Sequence, residues 1–142
     1  MMQKPRNTRV GAYALLTRGE QMLFCRISPQ VPRWQGMWTL PGGGVEFAEH
    51  PSDTVVREVF EEIGLHVVHD QVDAITCCYE DTQDHEFHGI RILYQARILE
   101  GQLRAEVAGT TDLVAWLTVD QVCQLPLVDI ARDGLALVYG DS

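Results

Sequence analysis

Three glutamates, Glu58, Glu61 and Glu62, fall within about one turn of the segment REVFEEIG at 57–64. Carboxylates at such spacing repel one another, so a helix selected only for stability avoids the arrangement. A hard divalent cation such as Mg²⁺ removes the repulsion, because it prefers oxygen ligands. A run of three glycines, Gly42-Gly43-Gly44, stands shortly before the segment and supplies backbone able to come close to a ligand. Together these residues suit a metal-dependent phosphate site. Cleaving a phosphoanhydride requires charge neutralisation on the non-bridging oxygens, an in-line water and a base to take its proton. Carboxylates around a cation, completed by a carbonyl from the glycine turn, meet these needs.

The glutamates need a helix to hold them. Pro51 suits a first helical position, Ser52 and Asp53 suit a first turn, and Gly64 suits a C-terminal cap. At about 100° per residue, Val56, Val59, Phe60 and Ile63 gather on one side. Glu58, Glu61 and Glu62 gather on the other, which predicts a carboxylate face pointing away from the core. Arg57 lies four residues from both Asp53 and Glu61 and can partly neutralise that face.

Around the helix, residues 9–17 and 21–27 read as a hairpin turning at Arg18-Gly19-Glu20. Residues 28–36 carry two prolines and read as a loop. Short extended pieces are expected at 37–40 and 45–47, and strands at 65–79, 89–99 and 113–117, with a polar loop at 81–88. Thr118 is placed to cap a short helix through Gln124, and a last helix is expected over 128–139. Strands on both sides of one helix, then terminal helices, predict an α/β fold with a mixed sheet between helices.

At 142 residues the chain fits one domain spanning 1–142, with residues 1–8 a flexible N-terminus. No apolar run is long enough to span a membrane, and the apolar stretch after the basic start is too short for a signal peptide. A cytoplasmic location is the default. The net charge of −9 argues against non-specific nucleic-acid binding, which needs a basic surface. Residues 46–62 concentrate six carboxylates against one arginine, and a second acidic stretch covers 70–86. The cysteines, Cys25, Cys77, Cys78 and Cys123, lack zinc-site spacing and read as reduced, mostly buried thiols. His85 and His88 read as solvated histidines of an acidic loop. Trp38 and Trp116 are assigned to packing, while Arg33, Trp34, Tyr79 and Phe87 are candidates to stack on or line a base.

The stretch 43–65 resembles the signature of the Nudix hydrolase family, Gx5Ex7REUxEExGU with U aliphatic. Gly43 opens it, Glu49 and Arg57-Glu58 follow, Val59 fills the aliphatic place, and Glu61-Glu62 and Gly64-Leu65 complete it. Trp38-Thr39-Leu40-Pro41-Gly42 is similar to the family's usual lead-in. The resemblance implies a Nudix-type α/β/α sandwich and Mg²⁺-dependent, sometimes Mn²⁺-dependent, hydrolysis of a nucleoside diphosphate linked to another moiety. By position it implies Glu58 and Glu62 as metal ligands, Glu61 as a third ligand or helper of the base, and Gly42 as a carbonyl ligand. Glu49 and Arg57 match the salt bridge that holds loop to helix. Family members place the base variously, so Glu86, Glu106 and Asp112 stand beside the box glutamates as candidates. A nucleotide-type small molecule is the implied substrate, and a homodimer is left open. The proline found downstream of the box in ADP-ribose hydrolases is absent, and Tyr79 falls near a tyrosine of dinucleoside polyphosphate hydrolases. Two further readings are a nucleotide sensor without turnover and an RNA 5′-end hydrolase. The intact box counts against the first, and the charge against the second.

Overall fold

The computed structural model describes residues 3–105 and 109–140. Its elements are β1 (Arg6–Leu15), β2 (Thr17–Arg18), β3 (Gln21–Ile27), β4 (Trp38–Thr39), β5 (Gly42–Gly44), α1 (Pro51–Ile63), β6 (Leu65–Asp81), β7 (Glu86–Gly101), β8 (Thr111–Thr118), α2 (Val119–Val122) and α3 (Asp129–Tyr139), with a 3₁₀ turn at Pro32–Trp34. One sheet runs β5-β1-β7-β6, and β1 and β7 are parallel while the other pairs are antiparallel. In the second sheet β3 is central and pairs with β2, β4 and β8.

Alternation along the strands divides the apolar residues between two cores. Ala12, Ala14, Leu16, Leu23 and Cys25 pack with Val55, Val59 and Ile63 of α1. Leu15, Met22 and Phe24 turn the other way, against Val122, Leu127, Ile130 and Ala131 of the C-terminal segment. Helices therefore cover both faces of the sheets, as the expected α/β/α sandwich requires. Trp38 is buried in the second core, and Trp116 packs against the first with Arg18 4.4 Å from its ring centre.

Several sequence expectations change. The hairpin expected from 9–17 and 21–27 survives only as Thr17–Arg18 against Gln21–Met22. β1 instead joins the other sheet, ten residues in register with β7 from Arg6↔Glu86 to Leu15↔Gln95. It takes in Arg6–Thr8, part of the segment expected to be flexible. The polar loop expected at 81–88 shrinks, because Asp81 and Glu86–His88 are strand residues. Pairing with β1 and an Arg6–Glu86 ion pair of 2.7 Å supply a partner that local propensity does not reveal. Val45–Phe47 is not a strand; the short strand is the glycine run itself. Of the four thiols only Cys25 is buried, while Cys77 and Cys123 are exposed.

α1 follows its sequence signals closely. His50 is the N-cap and its Nδ1 accepts from the Ser52 amide at 3.1 Å; Pro51 opens the helix. Gly64 closes it with φ 79°, donating to the Phe60 carbonyl at 2.9 Å. That left-handed conformation favours glycine.

Candidate active site

The helix faces differ from expectation, and the difference shapes the site. Val55, Val59 and Ile63 are fully buried, Glu62 is 6% exposed, and Phe60 is 40% exposed and stacks on His66. Val55 lies about 60° from Glu58 on the helical wheel, so counting it rotates the buried face toward the glutamates. Glu62 thus lies at the edge of the core rather than away from it, and Phe60 is pushed outward. The three carboxylates separate: Glu58 and Glu62 face a cleft, and Glu61 does not line it.

The cleft encloses about 780 Å³ between the glycine strand, the cleft-facing side of β1, β6 and β7, the 3₁₀ turn and the start of α3. It gathers Gly42, Glu58, Glu62, Arg33, Trp34, Tyr79 and Phe87, all singled out from sequence. Glu62 accepts a weak bond of 3.4 Å from the Thr111 hydroxyl. Gly43 faces Glu58 so closely that a Cβ there would stand 2.7 Å from its carboxyl carbon. Gly42 has φ 145°, and a Cβ on it would meet the Ala12 carbonyl oxygen at 2.3 Å. The glycine run is therefore required by β1 on one side and by the Glu58 carboxylate on the other.

Arg57 organises the helix side of the loop. Its Nε and Nη2 donate to the two oxygens of Glu49 at 2.8 and 2.9 Å, and its Nη1 donates to Glu58 at 2.9 Å and to Glu61 at 3.3 Å. The Thr54 hydroxyl adds a 2.6 Å bond to Glu49. Hydrogen bonds from Arg57, then Thr54, hold the Glu49 carboxyl at about 2, below its ordinary value of 4.5. The Arg57 guanidinium is in turn pushed up, chiefly by Glu49.

A depressed carboxylate pKa stabilises the fold above the unfolded value, and that stabilisation disappears as pH falls through the folded one. Thermal midpoints of the wild type should hence fall on acidification between pH about 4.5 and about 2. Glu49→Gln should start lower at neutral pH and lose part of this dependence. Equal slopes in both proteins over that window would contradict the assignment.

A family model described as the NUDIX domain matches residues 5–137. The chain belongs to the NUDIX family. It is 37% identical over 90 residues to a MutT-like protein of Streptomyces ambofaciens, covering 63% of this chain and 53% of that one. It is 29% identical over 113 residues to the NAD-capped RNA hydrolase NudC of Pseudomonas aeruginosa, covering 79% and 37% respectively. The chain thus spans about half the length, or less, of these curated relatives. Its fold is similar to that of a MutT NUDIX hydrolase from Burkholderia pseudomallei, with a TM-score of 0.77 and 24% identity over 94% of this chain and 99% of that one.

Three of the candidate carboxylates, Glu61, Glu86 and Asp112, stand outside the cleft. Glu61 is half-exposed beside Arg57. Glu86 accepts from the Tyr79 hydroxyl at 2.6 Å and from Arg6 at 2.7 Å, and Asp112 is paired with Arg26 at 2.8 Å. Neither Glu86 nor Asp112 lines the cleft, and Glu106 lies outside the described residues. Arg33 grips both oxygens of Glu80, which ties the 3₁₀ turn to β6, and its guanidinium lies 4.8 Å from the Trp34 ring centre. His85 sits 3.6 Å from Glu80, while His88 is exposed on β7.

Tyr13, Thr111, Arg9 and Arg91 are among the cleft groups the motif leaves unmarked. For Arg9 and Tyr13 a signal did exist. With Gly11 they occupy alternate positions of one strand, hence one face.

Proposed function

We propose that this chain is a divalent-cation-dependent pyrophosphohydrolase. It would cleave a phosphoanhydride of a nucleoside diphosphate linked to another moiety, such as a nucleoside triphosphate, a nucleotide sugar or a dinucleotide. The observation that carries this reading is the meeting of Glu58 and Glu62 in one cleft, against a glycine strand that leaves room for the Glu58 carboxylate.

The donors suit a hard cation, Mg²⁺ or Mn²⁺: Glu58, Glu62 and the Gly42 backbone would hold it. Among the described residues no three His, Cys, Asp or Glu side chains form a ready cage. That fits an ion that keeps waters and takes few carboxylates. When bound, the ion neutralises phosphate oxygens and acidifies a water. Arg57 fixes Glu58, and Thr111 orients Glu62. Proton removal from the attacking water falls to a cleft carboxylate. Of those described, Glu58 lies against the glycine strand and Glu62 one turn further along the same helix, whereas Glu80 and Asp129 come from β6 and α3, which favours the Glu58/Glu62 pair. Trp34 and Phe87 offer aromatic surface to a base.

The Pseudomonas relative is named as a hydrolase of NAD-capped RNA, whereas the net charge of this chain favours small nucleotides over RNA. A panel of nucleoside triphosphates, nucleotide sugars, dinucleoside polyphosphates, NAD and 5′-triphosphate RNA should yield turnover with Mg²⁺ on at least one small nucleotide, abolished by EDTA. Nucleotide binding without turnover across that panel would favour a sensor instead.

A further inference from the structure

Arginine supplies nearly all of the positive charge in this acidic chain, with ten arginines and one lysine. Most are spoken for. Arg6, Arg26, Arg33, Arg57, Arg97 and Arg132 hold carboxylates, and Arg18 and Arg104 lie over aromatic rings. Arg9 and Arg91 remain, and among the described residues neither forms a salt bridge. Both line the cleft that holds Glu58 and Glu62.

The sheet register arranges them as a pair. β1 and β7 run parallel with Arg9 opposite Gly89 and Gly11 opposite Arg91, so each arginine has a glycine as its neighbour across the strands. Gly44 of β5 stands opposite Gly11. A Cβ on Gly44 would meet the Arg9 guanidinium at 2.9 Å, and one on Gly11 would meet the Tyr13 ring at 2.7 Å. The missing side chains let Arg9 and Tyr13 lie across the sheet beside bare backbone. Tyr13 relates the two sets of charges. Burial raises its pKa first, Arg9 and Arg91 pull it down, and Glu62 and Glu58 push it up. Tyr13, Arg9, Arg91, Glu58 and Glu62 all line this one cleft.

Unpaired guanidiniums in a cleft match an anion with several oxygens, and their forked donors suit phosphate. The carboxylate side repels such an anion unless a cation intervenes; the arginine side attracts it directly. We propose that Arg9 and Arg91 form a phosphate-binding pair that selects substrates carrying a phosphate beyond the anhydride to be cut. The inference rests on the reading of this cleft as the substrate site. It ranks nucleoside triphosphates and other polyphosphates above nucleotide sugars whose sugar is neutral.

Calorimetric titration with tripolyphosphate in excess EDTA tests it independently of turnover. The wild type should bind, and R9Q and R91Q should each weaken binding about tenfold or more, the scale of one charged hydrogen bond. R97Q removes the same charge at a site outside the cleft and should bind like the wild type. In steady-state assays R91Q should lose at least about tenfold in kcat/KM for a triphosphate, through KM, and several-fold less for a nucleotide sugar with a neutral sugar. R9K and R91K, which keep the charge without the fork, provide folded comparisons if either Gln variant fails to fold, and should bind more weakly than the wild type. Absence of binding by the wild type, unchanged binding in the Arg9 and Arg91 variants, or an equal loss in R97Q would each overturn the proposal. If no substrate is turned over yet the titrations behave as expected, the hydrolase reading fails and the anion site stands.

Discussion

Glu58→Gln and Glu62→Gln are each expected to lower kcat by about 10²–10⁴-fold, the scale attached to a positioned acid–base group. Their effects on stability should differ. Glu58 accepts a 2.9 Å bond from Arg57 and is partly exposed, so its neutral amide gives up a charged partner and the protein melts slightly lower. Glu62 is buried beside Cys25, whose thiol is raised first by burial and then by the charge of Glu62. Removing a buried charge while keeping an acceptor for Thr111 should leave the midpoint unchanged or higher, the pattern of a site held at a cost in stability. Single-turnover rates beside thermal melts measure both quantities. Near-full activity in either variant would remove that residue from the proposed chemistry.

The adjacent glycines should separate folding from function. Gly43→Ala places a methyl 2.7 Å from the Glu58 carboxyl carbon, the far end of a side chain that can swing aside. The fold should survive while the carboxylate is displaced, and misplacement by about 1 Å can cost on the order of 10²-fold in rate. Gly42→Ala meets backbone instead, the Ala12 carbonyl at 2.3 Å and the Tyr13 Cα at 2.6 Å, from a positive φ. Strain and overpacking there should destabilise by at least about 2 kcal/mol, or on the order of 6–10 °C in midpoint. Thermal melts and kcat on the two purified variants check the contrast. A Gly43→Ala protein as active as the wild type would show that Glu58 tolerates displacement.

What was legible from the residues was mostly local. α1 opens at Pro51 and ends at Gly64 as its caps indicate, because capping chemistry acts over a few residues. Thr118 caps α2 with a complete capping box for the same reason. The two-sided covering of the sheets follows from element order alone. The misreadings arise where a distant partner decides. Val55 packs with Ala12, Ala14 and Cys25 of the strands, and a helical wheel drawn without it exposes Glu62 and buries Phe60, the reverse of the structure. Sequence proximity pairs β1 with β3, yet β1 lies between β5 and β7. The strand residues Glu86 to His88 looked like loop because their stabilising contacts come from Arg6 and its neighbours. Arg9 and Arg91 belong to one cleft only through that same long-range register.

The β1–β7 pairing also orders events in time. Arg6 and Glu86, bonded to each other, are 80 residues apart in the chain. The entropy of closing so long a loop grows only slowly with its length, so the penalty falls on folding rate more than on final stability. A chain emerging from the ribosome carries the α1 glutamates well before β7 exists to complete the opposite wall. The carboxylates and the arginines can meet only once synthesis has passed Arg91, so the cleft forms after the helix that carries its glutamates.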